Sequence, residues 1–150
     1  ITTYRKLAEA ATDKLCQFFP EARGRWTKKA VLPGGEFDNQ NELAANLKRD
    51  FPWLADTIIG RYVRTYGMTS YDILRGCNAM KDLGTLFAGT LYEREVIHLI
   101  ENEWAMTAED ILWRRTKQGL YTSDEQVRAL ENYIGLRVGE GSESATAEAE

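Results

Sequence analysis

Residues 103–116 hold the densest chemistry in the sequence: Trp104 and Trp113, the carboxylates Glu103, Glu109 and Asp110, and the adjacent arginines Arg114 and Arg115. Closely spaced carboxylates can divide acid and base work, and an arginine can clamp a carboxylate or phosphate with two parallel hydrogen bonds. No acid/base pair stands out here, because a solvated helix face carries carboxylates in the same way. On a helix opened by Thr107, Asp110 lies one turn from Arg114, and Ile111 one turn from Arg115. Ile111 and Leu112 are then expected inward, with the charges on the flanks. Two readings follow. One is a solvated face in which each exposed pair contributes about 0–1 kcal/mol. The other is a desolvated, bidentate contact of Arg114 or Arg115 with Glu95 or Glu103. Trp104 and Trp113 are expected to be at least partly buried.

Other chemistries fail on residue type. His98 is the only histidine, too few for a histidine-built zinc or iron site, and no serine has a nucleophile-elbow setting. No metal site is expected. There is no GxGxxG, hence no complete dinucleotide unit. Leu32-Pro33-Gly34-Gly35 reads as a turn, since it lacks the Lys-Ser/Thr ending of a phosphate loop. Cys16 and Cys77 lack metal-ligand spacing and read as buried free thiols. Tryptophan lies among basic residues in 23–29 and 113–117, a pattern that can engage phosphates and bases. The net charge of -4 rests on Glu140, Glu143, Glu148 and Glu150. The body is therefore neutral, which counts against a nucleic-acid partner.

The elements that must hold these residues read as helices. A hydrophobic fraction of 43% in 150 residues supports a real core. Leu7, Ala8, Ala11, Leu15, Phe18 and Phe19 form a helical stripe that Pro20 ends, and 21–37 is a linker. Asp38 or Asn39 caps a helix to Asp50. Pro52 opens a third, which Gly67 stops near Tyr66. Four further starts carry a Ser/Thr followed three residues on by an acid: Thr69 with Asp72, Thr90 with Glu93, Thr107 with Asp110, and Thr122 with Glu125. The last helix runs from Ser123 to about Arg137. Residues 139–150, rich in Gly, Ser, Ala and Glu, read as a disordered acidic tail. The expected fold is all-α, a compact domain of about six to seven helices.

Four ordered stretches resemble the C-terminal helical (cap) domain of aerobic, FAD-dependent sn-glycerol-3-phosphate dehydrogenases of bacterial type. They are Ile1-Thr2-Thr3-Tyr4-Arg5-Lys6-Leu7-Ala8-Glu9, Trp26-Thr27-Lys28 with Leu32-Pro33-Gly34-Gly35, Arg64-Thr65-Tyr66-Gly67, and Glu103-Trp104 through Arg114-Arg115-Thr116-Lys117-Gln118-Gly119-Leu120. Arg64–Gly67 departs from the family's Arg-Tyr-Gly by the inserted Thr65. The resemblance implies that 1–20 ends the FAD-domain motif, with its following helix, and that 38–138 is the cap. It implies a parent that oxidises glycerol 3-phosphate to dihydroxyacetone phosphate with FAD and hands electrons to membrane quinone. Such parents are peripheral at the cytoplasmic membrane and usually self-associating. Thr2 and Thr3 are the remnant of the flavin motif. The chain itself, which opens without an initiator methionine, is expected to bind no cofactor and to be inactive alone. Trp104, Asp110, Trp113, Arg114, Arg115, Glu95 and Glu103 are expected to serve structure and interface. The alternative is a helical protein- or membrane-surface module with no enzymatic role.

Overall fold

A computed structural model describes residues 3–147, with side chains through Arg137. The order is α1 (Tyr4–Cys16), α2 (Gln40–Asp50), α3 (Asp56–Tyr66), a 3-10 turn (Gly67–Thr69), α4 (Ser70–Ile73), a second 3-10 turn (Met80–Leu83), β1 (Leu86–Ala88), β2 (Leu91–Tyr92), α5 (Glu93–Glu103), a π-helix (Asp110–Arg115), a third 3-10 turn (Gln118–Tyr121) and α6 (Asp124–Ala147). The all-α expectation holds apart from one small antiparallel ribbon, with Leu86 opposite Tyr92 and Ala88 opposite Leu91. The last helix, expected to end near Arg137, continues as α6 backbone to Ala147, so the stretch expected as a disordered tail is helical as far as it is described, and 148–150 lie outside the described residues.

One core joins every helical element from α2 onward. Leu47 of α2, Tyr62 of α3, Leu74 after α4, Leu91 of β2, Leu99 of α5, Ile111 and Leu112 of the π-helix and Leu130 of α6 are all buried in it. Removing such side chains from water contributes roughly 1.5–3 kcal/mol each. Helix α1 buries nothing. Its expected inward stripe is turned out, with Leu7, Leu15, Phe18 and Phe19 all 57–70% exposed. Cys16 is accordingly only half-buried, whereas Cys77 is buried, and both are free thiols.

Local signals succeed where both partners are near in sequence. Asn39 caps α2, its Oδ1 accepting from the N–H of Asn41 at 2.8 Å. Gly67 ends α3 at φ 55°, ψ -129°, a region open to glycine alone. A Cβ there would sit 2.0 Å from the Gly34 carbonyl oxygen. That oxygen accepts from the Met68 N–H at 2.9 Å, which clasps the linker to the end of α3.

Several starts are corrected. Helix α3 opens at Asp56 behind Ala55, not at Pro52, because Leu54 is drawn wholly into the core and Lys48 Nζ holds its carbonyl at 3.2 Å. Thr69 lies inside a 3-10 turn and caps nothing. Thr90 sits in the ribbon's turn, its hydroxyl taken by Arg61, and Tyr92 precedes α5 instead. The box expected at Thr122 and Glu125 is shifted by one residue to Ser123 and Gln126. Thr122 Oγ1 instead donates to the Gln118 carbonyl.

Candidate functional site

The Thr107–Asp110 box forms as expected. Asp110 N–H donates to Thr107 Oγ1 at 3.1 Å, and Asp110 Oδ2 accepts from the N–H groups of Met106 and Thr107 at 3.1 Å each. These donors, the Met106 N–H first, then the Thr107 hydroxyl and Arg114, hold the Asp110 carboxyl down at about 2. The helix that follows is π-type: the Thr116 N–H reaches the Ile111 carbonyl five residues back at 3.0 Å, and the Thr116 hydroxyl bonds the same oxygen at 2.7 Å.

The two arginines behave differently. Exposed Arg114 bonds Asp110 at 2.7 Å and Glu109 at 2.8 Å, which is the solvated face. Arg115 turns back to α5 and donates through Nε to the Glu103 backbone carbonyl at 3.1 Å. Its carboxylate contacts, Glu103 and Asp110, are both at 3.8 Å. The desolvated bidentate contact expected of Arg114 or Arg115 is therefore absent. Trp113 is half exposed, its ring lying where a Cβ on Gly119 would come within 2.5 Å. Trp104 is 85% exposed, against its expected burial, because it takes the left-handed conformation at the end of α5 (φ 54°, ψ 36°).

Glu95 spends its charge elsewhere. Fully buried, it receives Arg61 through Nη1–Oε1 at 2.6 Å and Nη2–Oε2 at 2.5 Å. The Tyr66 hydroxyl donates to the same carboxylate. Arg61 also bonds Thr90 at Oγ1 and at the carbonyl, both at 2.7 Å. Three elements, α3, the ribbon and α5, thus meet on one ion pair. Burial opposes the Arg61 charge, but Glu95 more than offsets it and the guanidinium pKa is raised. Burial first, and then the Glu95 charge, push the Tyr66 and Tyr62 phenols up. Sequence reasoning missed Arg61. The available signal was an arginine between Ile58-Ile59 and Tyr62-Val63, in a helical stretch that otherwise turns inward.

Beside this hub, a groove of about 610 Å³ is walled mainly by the end of α3, α4 and α5, with Pro33 of the linker and Tyr66, Ile73, Arg94, His98 and Glu103 among its lining. Arg94 is committed to the Ile73 and Arg75 carbonyls at 3.1 and 2.7 Å. His98 sits edge-on to Tyr66 with ring centroids 6.0 Å apart, in keeping with a structural role. Among the described residues no His/Cys/Asp/Glu group could hold a metal, and no helix is long and apolar enough to cross a membrane.

Of the flavin-motif remnant, Thr2 lies outside the described residues. Thr3 precedes α1 without a side-chain cap hydrogen bond.

Residues 25–140 match the family model described as the C-terminal domain of alpha-glycerophosphate oxidase. The chain belongs to this family. As a C-terminal domain of the alpha-glycerophosphate oxidase family it is 39% identical over 135 residues to the aerobic glycerol-3-phosphate dehydrogenase of Escherichia coli (strain K12), covering 89% of this chain and 27% of that protein. It is 45% identical over 135 residues to a glycerol-3-phosphate dehydrogenase of Pseudomonas aeruginosa, covering 89% and 26%. Over 128 residues it is 44% identical to the D-erythritol 1-phosphate dehydrogenase of Brucella abortus, covering 84% and 26%. The chain thus spans about a quarter of the length of these relatives. The family read from the four motifs is the one found.

Proposed function

We propose that this chain is the C-terminal cap of a flavoenzyme that oxidises sn-glycerol 3-phosphate to dihydroxyacetone phosphate. The observation that carries the reading is the match of 25–140 to the C-terminal domain family, together with relatives named for glycerol 3-phosphate. FAD bound in the parent would accept the hydride and pass electrons to membrane quinone. Of this chain, only Thr2 and Thr3 would stand beside it. The cap's own work is architectural. Its core, stitched by Arg61 and Glu95, presents a rigid body to the preceding FAD and substrate domain. The parent is cytoplasmic, peripheral at the cytoplasmic membrane, and self-associating.

The test uses the full-length parent with an artificial electron acceptor, offered glycerol 3-phosphate and D-erythritol 1-phosphate in turn. Turnover of glycerol 3-phosphate with bound flavin is expected, and none from the 150-residue chain with added FAD. Preference for the erythritol ester would reassign the substrate, as one relative's name suggests. Activity of the short chain alone would end the cap reading.

A second reading rests on Trp104. An indole left 85% exposed, near an exposed Met106, suits a lipid or protein surface. Co-sedimentation of the 150-residue chain with anionic liposomes, lost in Trp104→Ala, would favour that module. Failure to bind leaves the cap.

A further inference from the structure

Helix α1 is amphipathic, and its polar side is the one the chain covers. At roughly 100° per residue, Arg5, Glu9, Asp13 and Cys16 fall on one face and Tyr4, Leu7 and Leu15 on the opposite one, with Phe18 in the turn just after the helix. The linker folds back over the polar face. Thr27 Oγ1 donates to Glu9 at 2.6 Å, Arg25 Nε to Asp13 at 2.7 Å, and Arg5 pairs with Glu9 at 3.0 Å. Among the described residues the apolar face is left largely uncovered: Tyr4, Leu7, Leu15 and Phe18 are 65%, 69%, 57% and 70% exposed. Water on one such face is costly, since each of these side chains gains from burial, and patches of this kind mark interfaces.

The comparisons bear on what lies opposite. The C-terminal family model begins at residue 25, beyond α1. The alignments to the dehydrogenases run to 135 residues and 89% of the chain, longer than the span 25–140, so they reach outside that domain. Helix α1 lies before the span that the family model matches. The alignment to a further glycerol-3-phosphate dehydrogenase covers 93% of this chain and so takes in at least part of α1. These relatives have about three quarters of their length elsewhere. We infer that the apolar face of α1 is a packing surface for the preceding part of the same protein, the linker serving as the polar bracket that ties this helix to the cap. This rests on the cap reading above and adds the face by which the two parts meet.

Hydrogen–deuterium exchange at residues 4–19, compared between the 150-residue chain and the full-length parent, tests it. Exchange slower by about 100-fold or more in the parent is expected, with Leu99 amides in the core as the folding reference. The parent carrying Leu15→Asp and Phe18→Asp should lose that protection, whereas Leu86→Asp, at an exposed ribbon position, should keep it. Should the double variant fail to fold, Leu15→Ala with Phe18→Ala gives a graded loss. Equal exchange in chain and parent, or protection untouched by the α1 variants, overturns the inference. Protection in the short chain that rises with its concentration would assign the face to a second copy and overturn it too. A parent that ignores glycerol 3-phosphate but protects α1 removes the proposed substrate and leaves this inference standing.

Discussion

The Arg61 guanidinium and the Glu95 carboxylate, 34 residues apart in sequence, meet as two parallel hydrogen bonds of 2.6 and 2.5 Å within the core. Paired and fully hydrogen-bonded, they are tolerated there. With one partner removed, the other is left as a buried, uncompensated charge.

Arg61→Ala or Glu95→Ala is therefore expected to lower stability by about 3–5 kcal/mol. Arg114→Ala, which breaks only exposed pairs, should lower it by less than about 1 kcal/mol. Urea denaturation of the 150-residue chain measures both. A loss at Arg61 no larger than that at Arg114 would remove the hub from the account.

Gly67 and Gly60 should respond to alanine in opposite directions. At Gly67 a Cβ meets the Gly34 carbonyl oxygen at 2.0 Å, and φ is positive, so Gly67→Ala should cost at least about 2 kcal/mol. At Gly60, inside α3, the Cβ meets only the tip of Arg64 at 3.4 Å. Gly60→Ala should stabilise by about 0.5–1 kcal/mol. Thermal or urea unfolding of the two variants reads the difference, and a neutral Gly67→Ala would dissolve the linker clasp.

Asp110 sets an acid-side dependence. Its carboxyl is held at about 2 by the Met106 N–H, the Thr107 hydroxyl and Arg114, below the usual value near 4. A carboxyl depressed on folding adds stability that is fully present above its unfolded value and is lost as pH falls through its folded one. Asp110→Asn should thus be less stable than the parent chain at pH 7. The gap should close between about pH 5 and pH 2. Denaturation midpoints taken down the pH series test this, and a gap that is constant with pH would refute it.

Trp104 is the residue whose loss should help. It occupies the left-handed region at φ 54°, which disfavours L-residues by about 1–2 kcal/mol, and with 85% exposure it packs on little. Trp104→Gly is expected to raise stability by about 0.5–1 kcal/mol. A fall would mean that the indole holds the end of α5 in place. A rise, paired with weaker assembly of the parent, would place its value outside this chain.

What the sequence determined by itself is whatever acts over one helical turn. The Asn39 cap, the Thr107–Asp110 box, the Gly67 stop and the Asp110–Arg114 pair all join residues within four positions, so type and spacing sufficed. The ordered motifs carried the family for the same reason, being strings of neighbours. Partners across the fold were decided only in three dimensions. Glu95 was one of two carboxylates expected to meet Arg114 or Arg115, but the fold brings Arg61 of α3 to it instead. Thr90 had the pattern of a cap, yet the ribbon presents its hydroxyl to that same arginine. The stripe on α1 announced a face to be buried without saying against what. Amphipathicity states that apolar surface must leave water, and only the packed chain shows which surfaces inside it are already taken. Here the polar side of α1 is taken and the apolar side is left for another part of the protein.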